Sequence, residues 1–396
     1  MKIKIKRCWW WGSFLLLAGL AIVMTDYLLT SPPPDPAGGV GVSAALGGDD
    51  HAGYQRADQP RTFQFPADHG PHPEFRNEWW YVTGNLTDAG GRQFGYQLTL
   101  FRIALAPTPP VADSAWRTNQ IYMGHFALTD VAGQQHHAFE RFSRAALGLA
   151  GAQAAPFRVW LEDWELAGTE SASGSDVFPL QIRAREGDIA IDVTLTAAKP
   201  MVLQGDRGLS QKSAEPGNAS YYYSYTRLPT QGTVQIGPQH FTVSGASWLD
   251  REWSTSALGP DQSGWDWFAL QLDDGQDVMF YRLRHTDGSM DTFSKGVLVA
   301  ADGQARLLRW DEVDLQPLDH WISPHTGDRY PIRWRLRVPA QSLDLTVTAK
   351  LVDQEMRLTV RYWEGAVSVE GRAGDRTING RGYLEMTRYE PSASTH

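Results

Sequence analysis

Two short segments set carboxylates among indoles. Glu78 precedes Trp79, Trp80 and Tyr81, while Asp250 and Glu252 flank Arg251 between Trp248 and Trp253. A carboxyl group deprived of water by apolar neighbours favours its protonated form, which makes it an acid usable near neutral pH. If Ser247–Trp253 is a strand, its side chains alternate between two faces. Trp248, Asp250 and Glu252 then share one face, and Leu249, Arg251 and Trp253 the other. Two carboxylates on one inward face repel, and the pKa of one of them rises.

Each of these residues also has a purely structural reading. Arg251 and Glu78 can form a buried ion pair joining two halves of the chain, since buried charges persist only when paired. Trp79, Trp80, Trp265 and Trp267 can fill cores. His125, in phase with Met123 and Ala127, is either a hydrogen-bonded strand histidine or a proton shuttle. Asp68, His69, His72 and Glu74 are metal-ligand types, but Pro66, Pro71 and Pro73 make their spacing irregular, and they read better as a hydrogen-bonding loop at a barrel mouth. No metal or cofactor is expected. Gly-x-Ser-x-Gly and His-Glu-x-x-His are absent, which argues against a serine or zinc hydrolase.

The elements that position these residues are strands. Phe75–Leu86 and Gly264–Leu272 each lead into a turn cluster, Asn85–Gly91 and Leu272–Gly275, followed by a second alternating run. This reads as one hairpin used twice. Further strand patterns cover 122–128, 157–164, 178–184, 189–195, 221–226, 233–243, 332–338, 343–351, 357–363 and 366–371. Asp302-Gly303 centres a hairpin within 296–308, and Gln135–Leu149 reads as a broken strand rather than a short helix. Such spacing indicates an all-β protein of two tandem antiparallel barrels, with a pair of β-sandwiches as the alternative. The expected divisions are a membrane or signal segment at 1–30, a linker at 31–60, and barrels at 61–240 and 241–390.

The N-terminus carries Lys2, Lys4, Lys6 and Arg7 before an apolar run from Trp9 to Leu29, long enough to span a bilayer. An uncleaved anchor with the rest exported to the periplasm is expected; secretion after cleavage is the alternative. Cys8 is the single cysteine and precedes that run, so the exported part forms no intramolecular disulfide. A net charge of -9 and a pI near 5.7 speak against a nucleic-acid partner. Sixteen Trp, 14 Tyr and 15 Phe can line a cavity as well as fill cores.

Phe65-Pro-x-Asp-His-Gly-x-His72, Glu78-Trp-Trp-Tyr-x-Thr-Gly84, Gly124-His-Phe126, Ser247-Trp-Leu-Asp-Arg-Glu-Trp253, Trp265-Asp-Trp-Phe268 and Tyr362-Trp-Glu-Gly365 together resemble the AttH family over about residues 61–390. The resemblance implies exported two-domain lipocalin-like (calycin) proteins related to carotenoid 1,2-hydratase, also called hydroxyneurosporene synthase, with an apolar pocket between or within the barrels. In the hydratase branch a proposed acid/base histidine occupies the place of Arg251, and an acidic residue that of Leu283, while Trp253 and Tyr281 are retained. Arginine does not exchange protons near neutral pH, so that mechanism does not carry over unchanged. Hydration of an isolated alkene needs a protonated acid, aromatic faces for the cation and one water.

Two functions follow as expectations. The first is binding of a hydrophobic molecule (lipid, isoprenoid or polyene) in the cell envelope. The second is a hydratase- or isomerase-like enzyme using Asp250, Glu252, His125 and Tyr281. Ligand contacts are expected from Glu78, Trp80, Tyr81, Tyr223, Trp248, Arg251, Trp253 and Trp267.

Overall fold

The computed structural model describes residues 40–41, 51–111, 113–169, 177–256, 258–259, 261–387 and 389. The expected anchor at 9–29, and the linker up to residue 50 apart from 40–41, lie outside the described residues. Among the described residues no helix is long and apolar enough to cross a membrane.

Two antiparallel sheets carry the fold. The first contains β1 (Asn77–Asp88), β2 (Gln93–Ala104), β3 (Gln120–Asp130), β4 (Gln135–Arg144), β5 (Ala150–Ala154), β6 (Phe157–Leu161), β7 (Trp164–Gly168), β8 (Leu180–Glu186), β9 (Ile189–Leu195), β10 (Ala219–Ile236) and β11 (Gln239–Ser254). Their order is β4-β3-β2-β1-β11-β10-β9-β8-β7-β6-β5. The second contains β12 (Gln262–Leu272), β13 (Asp277–His285), β14 (Lys295–Val299), β15 (Ala305–Arg309), β16 (Asp314–Ile322), β17 (Arg329–Val338), β18 (Leu343–Ala349), β19 (Val360–Ala373) and β20 (Arg376–Thr387). Their order is β15-β14-β13-β12-β20-β19-β18-β17-β16.

Both sheets follow one plan: a meander whose first strand pairs with its last, open between the fourth and fifth strands. The two leading hairpins also match in detail. Residues 89–92 and 273–276 make the turns, with Gly91 and Gly275 at φ +84° and +87°, where a side chain would strain the backbone. In both, the last strand residue donates its N–H across the turn, Asp88 to Arg92 O and Leu272 to Gln276 O. The hairpin read twice in the sequence therefore opens each sheet.

The first sheet coils into a nearly closed barrel. β3 meets β6 and β7 across the opening, with Phe126 edge-on to Trp164 at 5.8 Å and Leu161 in the same core. Its interior is filled by side chains that include Trp80, Phe126, Leu180 and Ile191; Phe268, Trp334 and Trp363 fill the second sheet. The aromatic cavity described below is lined instead by residues on the outer faces of both sheets.

Several expected boundaries shift. The expected strand at 233–243 spans the hairpin turn between β10 and β11, where Gly237 adopts φ +58°. β11 pairs with β10 and β1, so it belongs to the first sheet, and the change of sheet comes between Ser254 and Gln262 rather than at 240/241. The run at 157–164 breaks at Glu162, φ +58°, into β6 and β7. Gln135–Arg144 is a strand.

One end of the first sheet is closed by charge. Glu78 is fully buried on β1 and takes ion pairs from Arg102 on β2 and Arg251 on β11, its neighbours on either side. His72 adds its backbone N–H to both carboxylate oxygens at 3.0 and 3.1 Å, and its ring reaches Asp68 at 3.1 Å. That ring stacks on Trp253 at 3.9 Å, and Arg251 lies 4.0 Å over Trp80. Burial opposes ionisation of Glu78, but the two guanidinium groups outweigh it and hold the carboxyl well below its usual range. The ion pair is within one sheet, so it does not join the two halves as expected. The second sheet repeats the device, with Asp266 between Arg282 and Arg284.

Removing the charge at Glu78 leaves two buried cations without a counterion. Glu78→Gln is expected to lower the unfolding free energy by about 3–5 kcal/mol. The check is the denaturant midpoint, and a loss below about 1 kcal/mol would show that the clamp is not structural.

Candidate functional site

Strand alternation gives β11 two chemically different faces. Arg251 and Trp253 enter the Glu78 plug, while Trp248, Asp250 and Glu252 face the second sheet. There, β1 and β12 oppose each other with their outward aromatic residues. Tyr81 meets Trp267 edge-on at 5.1 Å, and Trp248 meets Trp267 at 6.3 Å. The space left between the sheets is a narrow slot of about 840 Å³, open mouth included. Its aromatic walls are Trp79, Tyr81, Phe101, Trp265, Trp267 and Tyr281.

Three carboxylates border the slot: Asp250, Glu252 and Glu385. Asp250 is buried and accepts from Tyr222 Oη at 2.5 Å, Ser224 Oγ at 2.5 Å and Trp248 Nε1 at 2.7 Å. Burial is the dominant influence and pushes its pKa up to about 7 against those three donors. Glu252 pairs with Lys212 Nζ at 3.0 Å. The ammonium also lies 4.6 Å over the Tyr281 ring, whose hydroxyl meets Ser210 Oγ at 2.8 Å. Burial works against the charge on Lys212, yet Glu252 and Tyr281 reverse it and raise its pKa.

Glu385 stands across the slot on β20 and accepts from Trp265 Nε1 at 2.9 Å. Burial pushes it up to about 8; the Trp265 donor opposes this, and Asp250 and Glu252 add to it. Directly opposite Glu385 in the β19–β20 ladder lies Glu364, which accepts from Tyr81 Oη at 2.5 Å. Burial and then Glu385 hold Glu364 well above the carboxylate range.

The expected site residues thus divide. Asp250, Glu252, Tyr281, Tyr81 and Trp267 border the slot, and Trp248 supports Asp250 from the adjoining wall. Glu78, Trp80, Arg251 and Trp253 point to the opposite face, into the plug, as does Tyr223, whose hydroxyl meets His69 Nδ1 at 2.6 Å. They are placed to hold the sheet rather than to touch a ligand in this cavity. His125 is buried behind the wall, bonded through Nδ1 to Tyr362 Oη at 2.8 Å and through Nε2 to Glu140 at 3.1 Å. Burial lowers its pKa against the pull of Glu140, so it reaches the slot only through Tyr362. Sequence reading missed Lys212, Tyr222, Glu364 and Glu385. The available signal for Glu385 was an acid within the apolar run Tyr383-Leu-Glu-Met386, and for Glu364 its place in the Tyr362-Trp-Glu-Gly365 motif.

Comparison with known proteins places this geometry. A model of the family described as AttH-like matches residues 56–389. A crystal structure of a proposed AttH protein from Nitrosomonas europaea is 32% identical, with a TM-score of 0.73, covering 85% of this chain and 99% of that one. Kievitone hydratase from Nectria haematococca is 14% identical with a TM-score of 0.62, covering 85% and 96%, and shares the fold. No curated protein matches the chain.

A raised carboxyl pKa makes stability depend on pH. Between the unfolded value and about 7, the folded state keeps the Asp250 proton that the unfolded state has released, so stability falls as pH rises through this window. Glu385 acts in the same sense up to about 8. Asp250→Asn cannot ionise, so its stability relative to wild type is expected to improve by about 1–3 kcal/mol between pH 5 and pH 8.5. Denaturant melts at the two pH values test this, and an unchanged difference would show that Asp250 is already ionised at pH 5.

Proposed function

We propose, for a chain that belongs to the AttH-like family, that the slot binds an extended or planar apolar molecule and that Asp250 and Glu385 move protons on it. The reaction class is acid-catalysed addition of water to, or rearrangement of, a carbon–carbon double bond. One observation carries this reading: Asp250 and Glu385 face one aromatic cavity and, among the described residues, neither forms an ion pair, while Arg251 pairs with Glu78 and Lys212 with Glu252.

Glu385, protonated at neutral pH, gives its proton to one alkene carbon. The cation formed at the other carbon lies against the indole faces of Trp265 and Trp267, whose quadrupoles favour it. Asp250, partly ionised near pH 7, takes a proton from water as the water oxygen bonds to that carbon, and solvent returns the proton to Glu385. For a rearrangement the same base takes a proton from an adjacent carbon instead. Tyr222 orients Asp250, and Glu252, paired with Lys212, adds to the raised pKa of Glu385. The fold shared with an enzyme named as a hydratase is in keeping with this class.

Both sheets are read as lipocalin-type barrels, packed solid, that use their outer faces for the ligand. The basic flank and apolar run at 9–29 support export and anchoring at a membrane, where lipids, isoprenoids and polyenes dissolve. The aromatic wall alone also supports a second reading, binding without turnover. Mass spectrometry of what co-purifies with the native chain separates the two when the recovered molecule is returned to fresh protein: it is converted under the first reading and unchanged under the second.

With a converted substrate in hand, kcat/KM is expected to be bell-shaped with its maximum between about 7 and about 8. Asp250→Asn and Glu385→Gln should each lower kcat by about 10²- to 10⁴-fold. Full turnover in both variants would remove the pair from the chemistry.

A further inference from the structure

The seam between the sheets opens a second cleft, chemically unlike the first. It holds about 780 Å³, open mouth included, and its lining is mostly polar and charged where that of the slot is aromatic. Arg227, Lys350 and Arg381 line it, with Asp273, Gln93 and Ser368 among its polar neighbours.

The cations there are poorly matched by anions. Arg227 pairs with Asp277 at 2.6 Å, but that carboxylate also takes Lys199 Nζ at 2.7 Å, so one negative charge serves two cations. Lys350 Nζ donates to the neutral Gln93 Oε1 at 2.8 Å. Among the described residues neither Lys350 nor Arg381 has a carboxylate within salt-bridge distance. Two other clusters of cations each hold a carboxylate: Arg102 and Arg251 share Glu78, and Arg282 and Arg284 share Asp266. Burial and then Arg381 push Lys350 down to about 8, while burial and then Arg227 lower Arg381. The three groups thus sit close enough to repel, in a partly dehydrated cleft, around space large enough for a ligand.

We propose that this cleft binds a small doubly charged tetrahedral oxyanion of the phosphate or sulfate type. A guanidinium fork on Arg381 and the ammonium of Lys350 supply charge-assisted donors from the second sheet, and Arg227 supplies positive potential from the first. A bound anion would then add to the bonds that already cross the seam here, from Arg227 to Leu272 O and Asp277 and from Lys350 to Gln93.

Isothermal titration of the full chain with sodium sulfate, at ionic strength held constant with sodium chloride, tests this. Saturable single-site binding is expected, with proton uptake near pH 8 because the anion restores the charge on Lys350; sulfate itself does not titrate there. Arg381→Gln and Lys350→Gln should each weaken binding about tenfold or more, Arg381→Lys should retain part of it, and Arg376→Gln, an exposed residue paired with Asp274, should leave it unchanged. Inorganic phosphate should compete with sulfate. The proposal is overturned if sulfate gives no saturable heat, if folded Arg381→Gln and Lys350→Gln bind as wild type does, or if the chain binds phosphatidic acid vesicles but neither free anion.

Discussion

The clamp of Arg102 and Arg251 on Glu78 decides what β11 can offer on its other side. A buried carboxylate with two guanidinium groups is costly to break and fixes its strands in register. Because successive side chains point to opposite faces, a register that sends Arg251 into the plug sends Asp250 and Glu252 into the slot. Arg251 is thereby unavailable to neutralise them. The acidity of the slot is a consequence of how the charge on one strand is sorted between its two faces.

The duplicated hairpin explains where the slot is. Each copy buries one face in the interior of its own sheet and leaves an aromatic face outside, and the two aromatic faces meet. Large rigid rings set edge to face do not close perfectly, and a narrow gap remains between them. Asp250 and Glu385 at its border are desolvated and, among the described residues, form no ion pair, the condition under which a carboxyl stays protonated near neutral pH. The same seam, where arginine and lysine replace the rings, becomes the polar cleft.

Strand content, the repeated hairpin and the split of β11 into two faces were legible in the sequence because each depends on alternation within a few residues. The place of the cavity was not. Period 2 shows that Trp79 and Trp80 point to opposite faces, but not which face meets a second sheet, so Trp80, Arg251 and Trp253 read as ligand contacts although they plug the first sheet. The turn at Gly237 did have a local signal, since Gly237-Pro238 interrupts the alternation and Val234 and Ile236 lie in one phase while Phe241 and Val243 lie in the other. Glu385 and Lys212 enter the site from strands and loops remote in sequence, and nothing local marks them as partners of Asp250 and Glu252.

The most direct measurement of the central claim is the protonation of Asp250 and Glu385 themselves, read from infrared difference spectra of wild type against Asp250→Asn and Glu385→Gln across pH. The sorting of charge on β11 predicts carbonyl bands of neutral carboxylic acids at pH 6 that disappear with midpoints near 7 and 8. Carboxylate bands for both residues already at pH 5 would contradict it.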